Sequence, residues 1–284
     1  MKKRYAFFPG CVLEQAAAEC RQATEAVLAR LGVEPVEIPG WSCCGASHVQ
    51  DIDDKGALAA NARNLALAEA IGLPVLTVCS TCTLMLRKAK QELDGGAKDE
   101  VNRYLATGGL EYKGTVEVTH LLWELAGDVD AWAAGVTRPL SGLKVAPFYG
   151  CHTIRPPKVQ TFENALAPTS IERIIAALGA EAAPTPERLK CCGFHAVYPA
   201  AGDVLKMTAR AAEGALAAKA DCLVTPCPLC QMQLDMYQPD AGVAGEMPCL
   251  HLAQLVGLGL GLPAAALGLS RHVVAAGLGG RFAG

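Results

Sequence analysis

Cysteine carries most of the reactive chemistry in this 284-residue sequence, which contains thirteen thiols. Ten of them fall into a repeated pattern. Phe8-Pro9-Gly10-Cys11 leads to Cys43-Cys44-Gly45 and then to Cys79-Ser80-Thr81-Cys82; Phe148-Tyr149-Gly150-Cys151 leads to Cys191-Cys192-Gly193 and then to Cys227-Pro228-Leu229-Cys230. The stretch from the adjacent pair to the CxxC element is 34 residues in both halves, and the stretch from the lone cysteine to the pair is 31 and 39 residues. Each half then has a histidine opening an apolar run, His120-Leu121-Leu122 and His251-Leu252-Ala253. Three cysteine elements recurring in one order, with one spacing identical, mark a tandem duplication. The halves join near Gly127–Gly142, giving expected domains of residues 1–135 and 136–284.

Each half offers five thiolates. A structural zinc takes four tetrahedral ligands and is usually signalled by two CxxC-like units; here each half has one CxxC, one adjacent pair and one lone cysteine. Neighbouring Cα atoms stand about 3.8 Å apart with diverging side chains, so an adjacent pair suits two metals of a cluster better than one small ion. A cubane iron–sulfur cluster uses four thiolates. The fifth points to an iron–sulfur assembly of unusual shape, or to a cubane with a spare thiol. A thioredoxin-like redox pair would account for CxxC but leave CCG unexplained. Cys20, Cys222 and Cys249 have no counterparts in the other half and read as small buried hydrophobes.

Structural disulfides are rare in a reducing cytoplasm, and an odd thiol count cannot pair completely. A cytoplasmic location is expected because Met1-Lys2-Lys3-Arg4 precedes an apolar stretch broken at Pro9-Gly10, too short for a signal peptide. The greasy stretch Leu250–Gly280 contains Gln254, Pro263, Ser270, Arg271 and His272, so it reads as a packed helix or a docking patch rather than a transmembrane segment. A net charge of −3 and an aromatic content of 5% argue against nucleic-acid binding. Gly257, Gly259 and Gly261 follow a helical stretch and lack the offsets of a dinucleotide fingerprint.

The elements that position the thiols are legible in outline. Tyr5–Pro9, Val33–Ile38 and Pro74–Val78 read as strands, separated by helices over 14–31 and from Asp53 or Asp54 to Ile71, with another over 84–93. The second half predicts strands at Leu143–Phe148 and Cys222–Thr225, with helices around Ser170–Leu178 and Asp203–Ala218. Strands alternating with helices predict an α/β fold of two pseudo-symmetric, Rossmann-like halves, each a small, mostly parallel sheet flanked by helices. Ligands of such sheets gather at the carboxyl ends of the strands, where all three cysteine elements of each half fall. Helices beginning just after Cys82 and Cys230 are expected to aim N–H groups at an anionic cluster.

Two copies of C-xn-CCG-xn-CxxC resemble the tandem CCG domains of the B-type component of heterodisulfide reductase. The segments Thr225-Pro226-Cys227-Pro228-Leu229-Cys230-Gln231-Met232-Gln233-Leu234-Asp235 and His251–Gly261 are particularly similar to that family. The resemblance implies two non-cubane [4Fe-4S] clusters, one held by Cys11, Cys43, Cys44, Cys79 and Cys82, the other by Cys151, Cys191, Cys192, Cys227 and Cys230. It also implies two partners, a C-like protein with cubane clusters and an A-like flavoprotein. The implied activity is an oxidoreductase cleaving or forming disulfide, thiol or sulfane-sulfur bonds; the style of the sequence leans towards the B-like proteins of sulfur-oxidising, heterodisulfide-reductase-like complexes. The alternative is an electron-transfer or assembly subunit of a succinate- or lactate-type dehydrogenase. His195 and His48, just beyond the CCG elements, are the candidate proton donors, with His152 as a weaker tuning candidate. His120 and His251 are expected to cap helices or fix the sheet edge, and Lys144, Lys190 and Arg155 are candidates for attracting an anionic thiol.

Overall fold

The computed structural model describes residues 3–46, 48–243 and 245–275. Met1, Lys2 and the end of the Leu250–Gly280 stretch lie outside the described residues. The first half runs β1 (Arg4–Phe8), α1 (Cys11–Glu14), α2 (Ala18–Arg30), β2 (Glu34–Glu37), α3 (His48–Ile52), α4 (Asp54–Ile71), β3 (Val75–Thr77), α5 (Ser80–Glu92), α6 (Lys98–Leu105), β4 (Val118–His120), α7 (Leu121–Gly127) and α8 (Val129–Ala133). The second runs β5 (Lys144–Pro147), α9 (Ser170–Ala177), β6 (Glu181–Ala182), α10 (Ala201–Ala217), β7 (Cys222–Thr225), α11 (Pro228–Met236), β8 (Cys249–His251) and α12 (Leu252–Gly259). Each half builds a four-stranded parallel sheet, ordered β2-β1-β3-β4 and β6-β5-β7-β8. The α/β architecture of two similar halves is therefore the one the repeat predicts.

Local chemistry explains the boundaries. Asp53 caps α4 by accepting from the Gly56 N–H. His120 and His251 end the outer strands β4 and β8 and cap the helices that follow, accepting from the Leu122 and Ala253 N–H groups. The helix expected over 14–31 is split. A turn starts at once after Gly10, and the chain then bends at Gln15–Ala17, where the Ala17 N–H reaches the Val12 carbonyl. Strands β4, β6 and β8 escape sequence reading because two or three residues carry no periodicity.

The halves interlock. α12 packs on α2 and α7 packs on α9, so the helix that follows the last strand of each repeat lies against the first long helix of the other. One apolar core runs through both, joining Val27, Leu122 and Trp132 to Ile171, Ile174, Ile175 and Leu255. Each of those isoleucines is fully buried, worth about 1.5–3 kcal/mol apiece. All of α12 is buried, with Gly257 and Gly259 pressed against Leu267 and Leu178, so the first part of the apolar stretch is core. No described helix is long and apolar enough to cross a membrane.

Candidate metal centre

All ten repeated cysteines lie at the carboxyl edges of the two sheets, and all are free thiols. In the first half Cys11 and Cys43 have their Sγ atoms 3.4 Å apart, and Cys44 and Cys82 theirs 3.5 Å apart. The second half repeats this with Cys151–Cys191 at 3.5 Å and Cys192–Cys230 at 3.3 Å. These are packing distances, far beyond a disulfide bond of about 2.05 Å. Across the pseudo-twofold, Cys79 and Cys227 bring their sulfurs within 3.9 Å. The backbone is shaped to the sulfurs: Gly10 and Gly150 both have positive φ, and a Cβ on either would sit 2.9 Å from Cys82 or Cys230 Sγ. Only glycine meets both demands.

The helices begin three residues earlier than expected, before rather than after Cys82 and Cys230. α5 starts at Ser80 and α11 at Pro228, so Cys79 and Cys227 occupy the N-cap positions with extended backbone, and Cys82 and Cys230 lie inside the first turn. Each cap sulfur therefore faces the free N–H groups of its own helix. Cys227 is pulled well below an ordinary thiol by hydrogen bonding with Cys230 and Cys79, with the Leu229 and Cys230 N–H groups adding to it. Cys43 and Cys191 are likewise lowered, first by Cys11 and Cys151, then by their neighbours Cys44 and Cys192, and by the Gly45 and Gly193 N–H groups.

Their companions move the other way. Cys11 and Cys151 are pushed up by Cys43 and Cys191, and Cys82 and Cys230 by Cys44 and Cys192. The two sulfurs of a touching pair move in opposite directions because packed thiolates repel. No group of three or more His, Cys, Asp or Glu among the described residues surrounds a point fit for a single metal ion. Sulfurs that touch in pairs suit an assembly of several metals, each bound by a different thiolate, and the donor set fits iron–sulfur chemistry.

The first set opens into a cavity of about 360 Å³. Its walls come from both halves: Val12, Leu13 and His48 from the first, Phe194, His195, Tyr198, Met232 and Tyr237 from the second. The second set faces only about 10 Å³. His48 and His195, the two candidate donors, thus share one cavity. The His195 ring stands 5.2 Å from His152, and both approach the Thr81 hydroxyl, His152 Nδ1 at 2.9 Å and His195 Nε2 at 3.4 Å. Burial holds both imidazoles below their ordinary pKa.

The anion-attracting candidates are not there. Lys144 pairs with Glu181 at the start of β5, 3.4 Å away, and the Arg155 guanidinium donates to the Leu189 carbonyl; neither these nor Lys190 lines the cavity. Cys20, Cys222 and Cys249 are fully buried, as expected. Sequence reading missed Thr81, Leu229, Met232, Tyr198 and Tyr237 as cavity walls. Thr81 and Leu229 hold the same position in the two CxxC elements, and that difference was the signal available.

A cysteine-rich (CCG) domain matches twice, at residues 5–87 and 145–235. The "8-methylmenaquinol:fumarate reductase membrane anchor subunit" of Wolinella succinogenes is 56% identical over 96% of this chain and 98% of its own length. The B-type component of the ferredoxin/F(420)H(2)-dependent CoB-CoM heterodisulfide reductase of Methanosarcina acetivorans is 34% identical over 95% of this chain and 94% of its own. Both are named as parts of larger enzymes. A hypothetical protein from Helicobacter pylori shares the fold, with a TM-score of 0.80 at 19% identity over 96% of this chain, which spans about half (52%) of that structure.

Proposed function

Since the chain belongs to the tandem CCG-domain family that includes the B-type component of heterodisulfide reductase, we propose that it is an iron–sulfur redox subunit of a fumarate reductase- or succinate dehydrogenase-type complex. In this reading each five-cysteine set holds one non-cubane [4Fe-4S] cluster, Cys11, Cys43, Cys44, Cys79 and Cys82 in domain 1–135, and Cys151, Cys191, Cys192, Cys227 and Cys230 in domain 136–284. The bound groups would supply one-electron steps. The protein's part is positional. Cys79 and Cys227 meet across the two halves, so two groups held by these sets would be linked by a single sulfur–sulfur contact of 3.9 Å. That contact is the observation that carries the proposal, because a two-site electron path needs short spacing before anything else. The α5 and α11 N-termini stabilise the anionic sulfur sets. A flavoprotein and a cubane iron–sulfur protein are the partners, in a reducing cytoplasmic compartment. His195 and His48 are placed to exchange protons with a molecule in the cavity.

The relative at 56% identity favours the fumarate reductase branch over sulfur chemistry. Disulfide reduction is the second reading, supported by the close approach of the two sulfur sets and by the heterodisulfide reductase relatives. Anaerobic isolation of the tagged chain from its own cells, with its associated subunits, separates the two. The proposal expects a flavin-containing complex that interconverts fumarate and succinate. A complex that cleaves disulfides and leaves fumarate untouched would sink it.

A further inference from the structure

The two halves match closely around their first strands. Glu34 donates its N–H to the Lys3 carbonyl and Glu181 to the Leu143 carbonyl, both at 2.9 Å. The helices before them end alike, at Leu31-Gly32 and Leu178-Gly179, with both glycines at positive φ. α7 and α12 likewise follow His120 and His251. Each half therefore has a groove in the same place, between the end of its first long helix and the helix after its last strand.

In the second half the chain fills that groove itself. Residues 136–142 run through it on their way into β5. The Thr137 and Arg138 N–H groups donate to the Gly259 carbonyl at 3.1 and 3.0 Å, the Leu140 N–H donates to the Leu178 carbonyl at 2.8 Å, and Leu140 is fully buried. A Cβ on Gly179 would meet Pro139 at 3.4 Å. In the first half the matched groove is an open cavity of about 450 Å³, floored by Tyr5 and Leu76. Ahead of β1 the described residues start at Lys3. A Cβ on Gly32 would meet nothing within 4 Å, and the Leu31 carbonyl accepts no hydrogen bond from a described residue.

The open groove differs in charge from the filled one, and no cysteine lines it. Leu28, Leu121, Leu125 and Trp132 give it an apolar wall. Lys3 is paired with Glu124 at 2.6 Å, which leaves Arg30 and Asp128 without an ion pair among the described residues; the Arg30 guanidinium reaches only the Gly135 carbonyl, at 3.5 Å. The second half has Ala177 and Gly259 at those two places. A carbonyl at a helix end needs a donor, and an extended peptide presents an N–H beside each apolar side chain.

We propose that this groove seats an extended segment of a partner subunit, built like residues 136–142. An aliphatic side chain the size of leucine enters beside Gly32, its own N–H donates to the Leu31 carbonyl, and a flanking carboxylate and cation meet Arg30 and Asp128. The duplication supplies the groove twice; this chain fills one, and another subunit fills the other. The inference rests on the reading of the chain as one subunit of a larger redox complex, and names where and by what chemistry a companion attaches.

The test uses the tagged chain isolated anaerobically with its companions from its own cells, with Ala131, exposed on the groove wall, replaced by photoreactive p-benzoylphenylalanine. Irradiation is expected to join it to one stretch of a companion subunit, which mass spectrometry finds to carry an aliphatic residue flanked by opposite charges. Ala131→Trp, which fills the groove from its exposed side, is expected to lower the yield of that subunit at least tenfold at unchanged iron content, and Arg30→Glu at least threefold. Circular dichroism checks that both variants fold, and the photoproduct alone decides for one that does not. A photoproduct on Met1 or Lys2, on a second copy of the chain, or on no co-purifying subunit overturns the proposal, as does the parental yield of that subunit with both variants folded. Companions that stay bound in each of those cases leave the subunit reading standing, whereas a chain isolated with iron but without companions removes that reading and this inference with it.

Discussion

Replacing His251 by alanine tests how the two repeats are locked together at their cysteines. His251 is fully buried, and its Nδ1 accepts the Ala253 N–H at 3.3 Å. The proton of the neutral ring therefore sits on Nε2, which faces two carbonyls, Val78 O at 3.3 Å and Pro226 O at 3.2 Å. Those are the residues immediately before Cys79 and Cys227. One imidazole thus ties the two cysteine-bearing turns, one from each half. Removing it costs a helix cap, about 1 kcal/mol, and leaves buried carbonyls without a donor, about 1–3 kcal/mol. The vacated ring space adds about 1 kcal/mol more, so the expected loss is about 3–5 kcal/mol. His120 provides the internal control. It caps α7 in the same way, with Leu122 N donating to Nδ1 at 2.9 Å, but its Nε2 has no hydrogen-bond partner among the described residues. His120→Ala is expected to cost about 2 kcal/mol less than His251→Ala, the share assigned to the carbonyls. His251→Asn restores the cap without reaching the carbonyls and is expected to recover about 1 kcal/mol. Urea unfolding followed by circular dichroism under anaerobic conditions measures all three. Equal losses for the two alanine variants, or complete rescue by asparagine, would refute the tie between the cysteine turns.

Three further outcomes follow from the same geometry. Gly10→Ala and Gly150→Ala each force a Cβ to within 2.9 Å of a sulfur at a positive φ, so each is expected to lose roughly half of the bound iron; full iron in either variant contradicts the cradle. Cys44→Ser and Cys227→Ser are expected to lose the iron of one set and the turnover of the assembled complex, and variants that keep both refute the assignment. Glu124 accepts from Lys3 at 2.6 Å and from Thr119 at 2.8 Å, and also from Tyr5. Burial opposes its ionisation, yet these donors hold the carboxyl below its ordinary value. A lowered carboxylate pKa stabilises the fold above the unfolded value near 4.5, and that stability fades as pH falls through the folded value. Glu124→Gln is therefore expected to cost about 1 kcal/mol at neutral pH and progressively less as the pH falls below the unfolded value near 4.5; a difference that persists unchanged in acid contradicts the linkage.

Much of this was legible in the residues. The three cysteine elements recur in order because the fold recurs, and their places at strand ends follow from parallel-sheet geometry. The α4 boundary was readable from Asp53, whose carboxylate caps it. His120 and His251 were readable as caps because each stands between a β-branched or apolar strand residue and a helical run. What escaped was three-dimensional. The exchange of α7 and α12 between halves depends on packing that no local pattern records. Nor does spacing reveal that Arg87 reaches across to the Val159 carbonyl at 2.9 Å, or that Phe162 stacks on Trp123 at 5.6 Å, so that the longer loop after Cys151 clasps the first half. The helix starts at Ser80 and Pro228 are hard to place from sequence because cysteine is not an ordinary N-cap residue, and neither Cys79 nor Cys227 supplies the usual side-chain cap hydrogen bond.

Metal analysis of the anaerobically isolated full chain, combined with Mössbauer spectroscopy, bears most directly on the two sulfur sets. The expected result is about eight irons and about eight acid-labile sulfides per chain, with iron sites differing from those of cubane clusters. One zinc per set, or four irons with the second set reacting as free thiols, would contradict it.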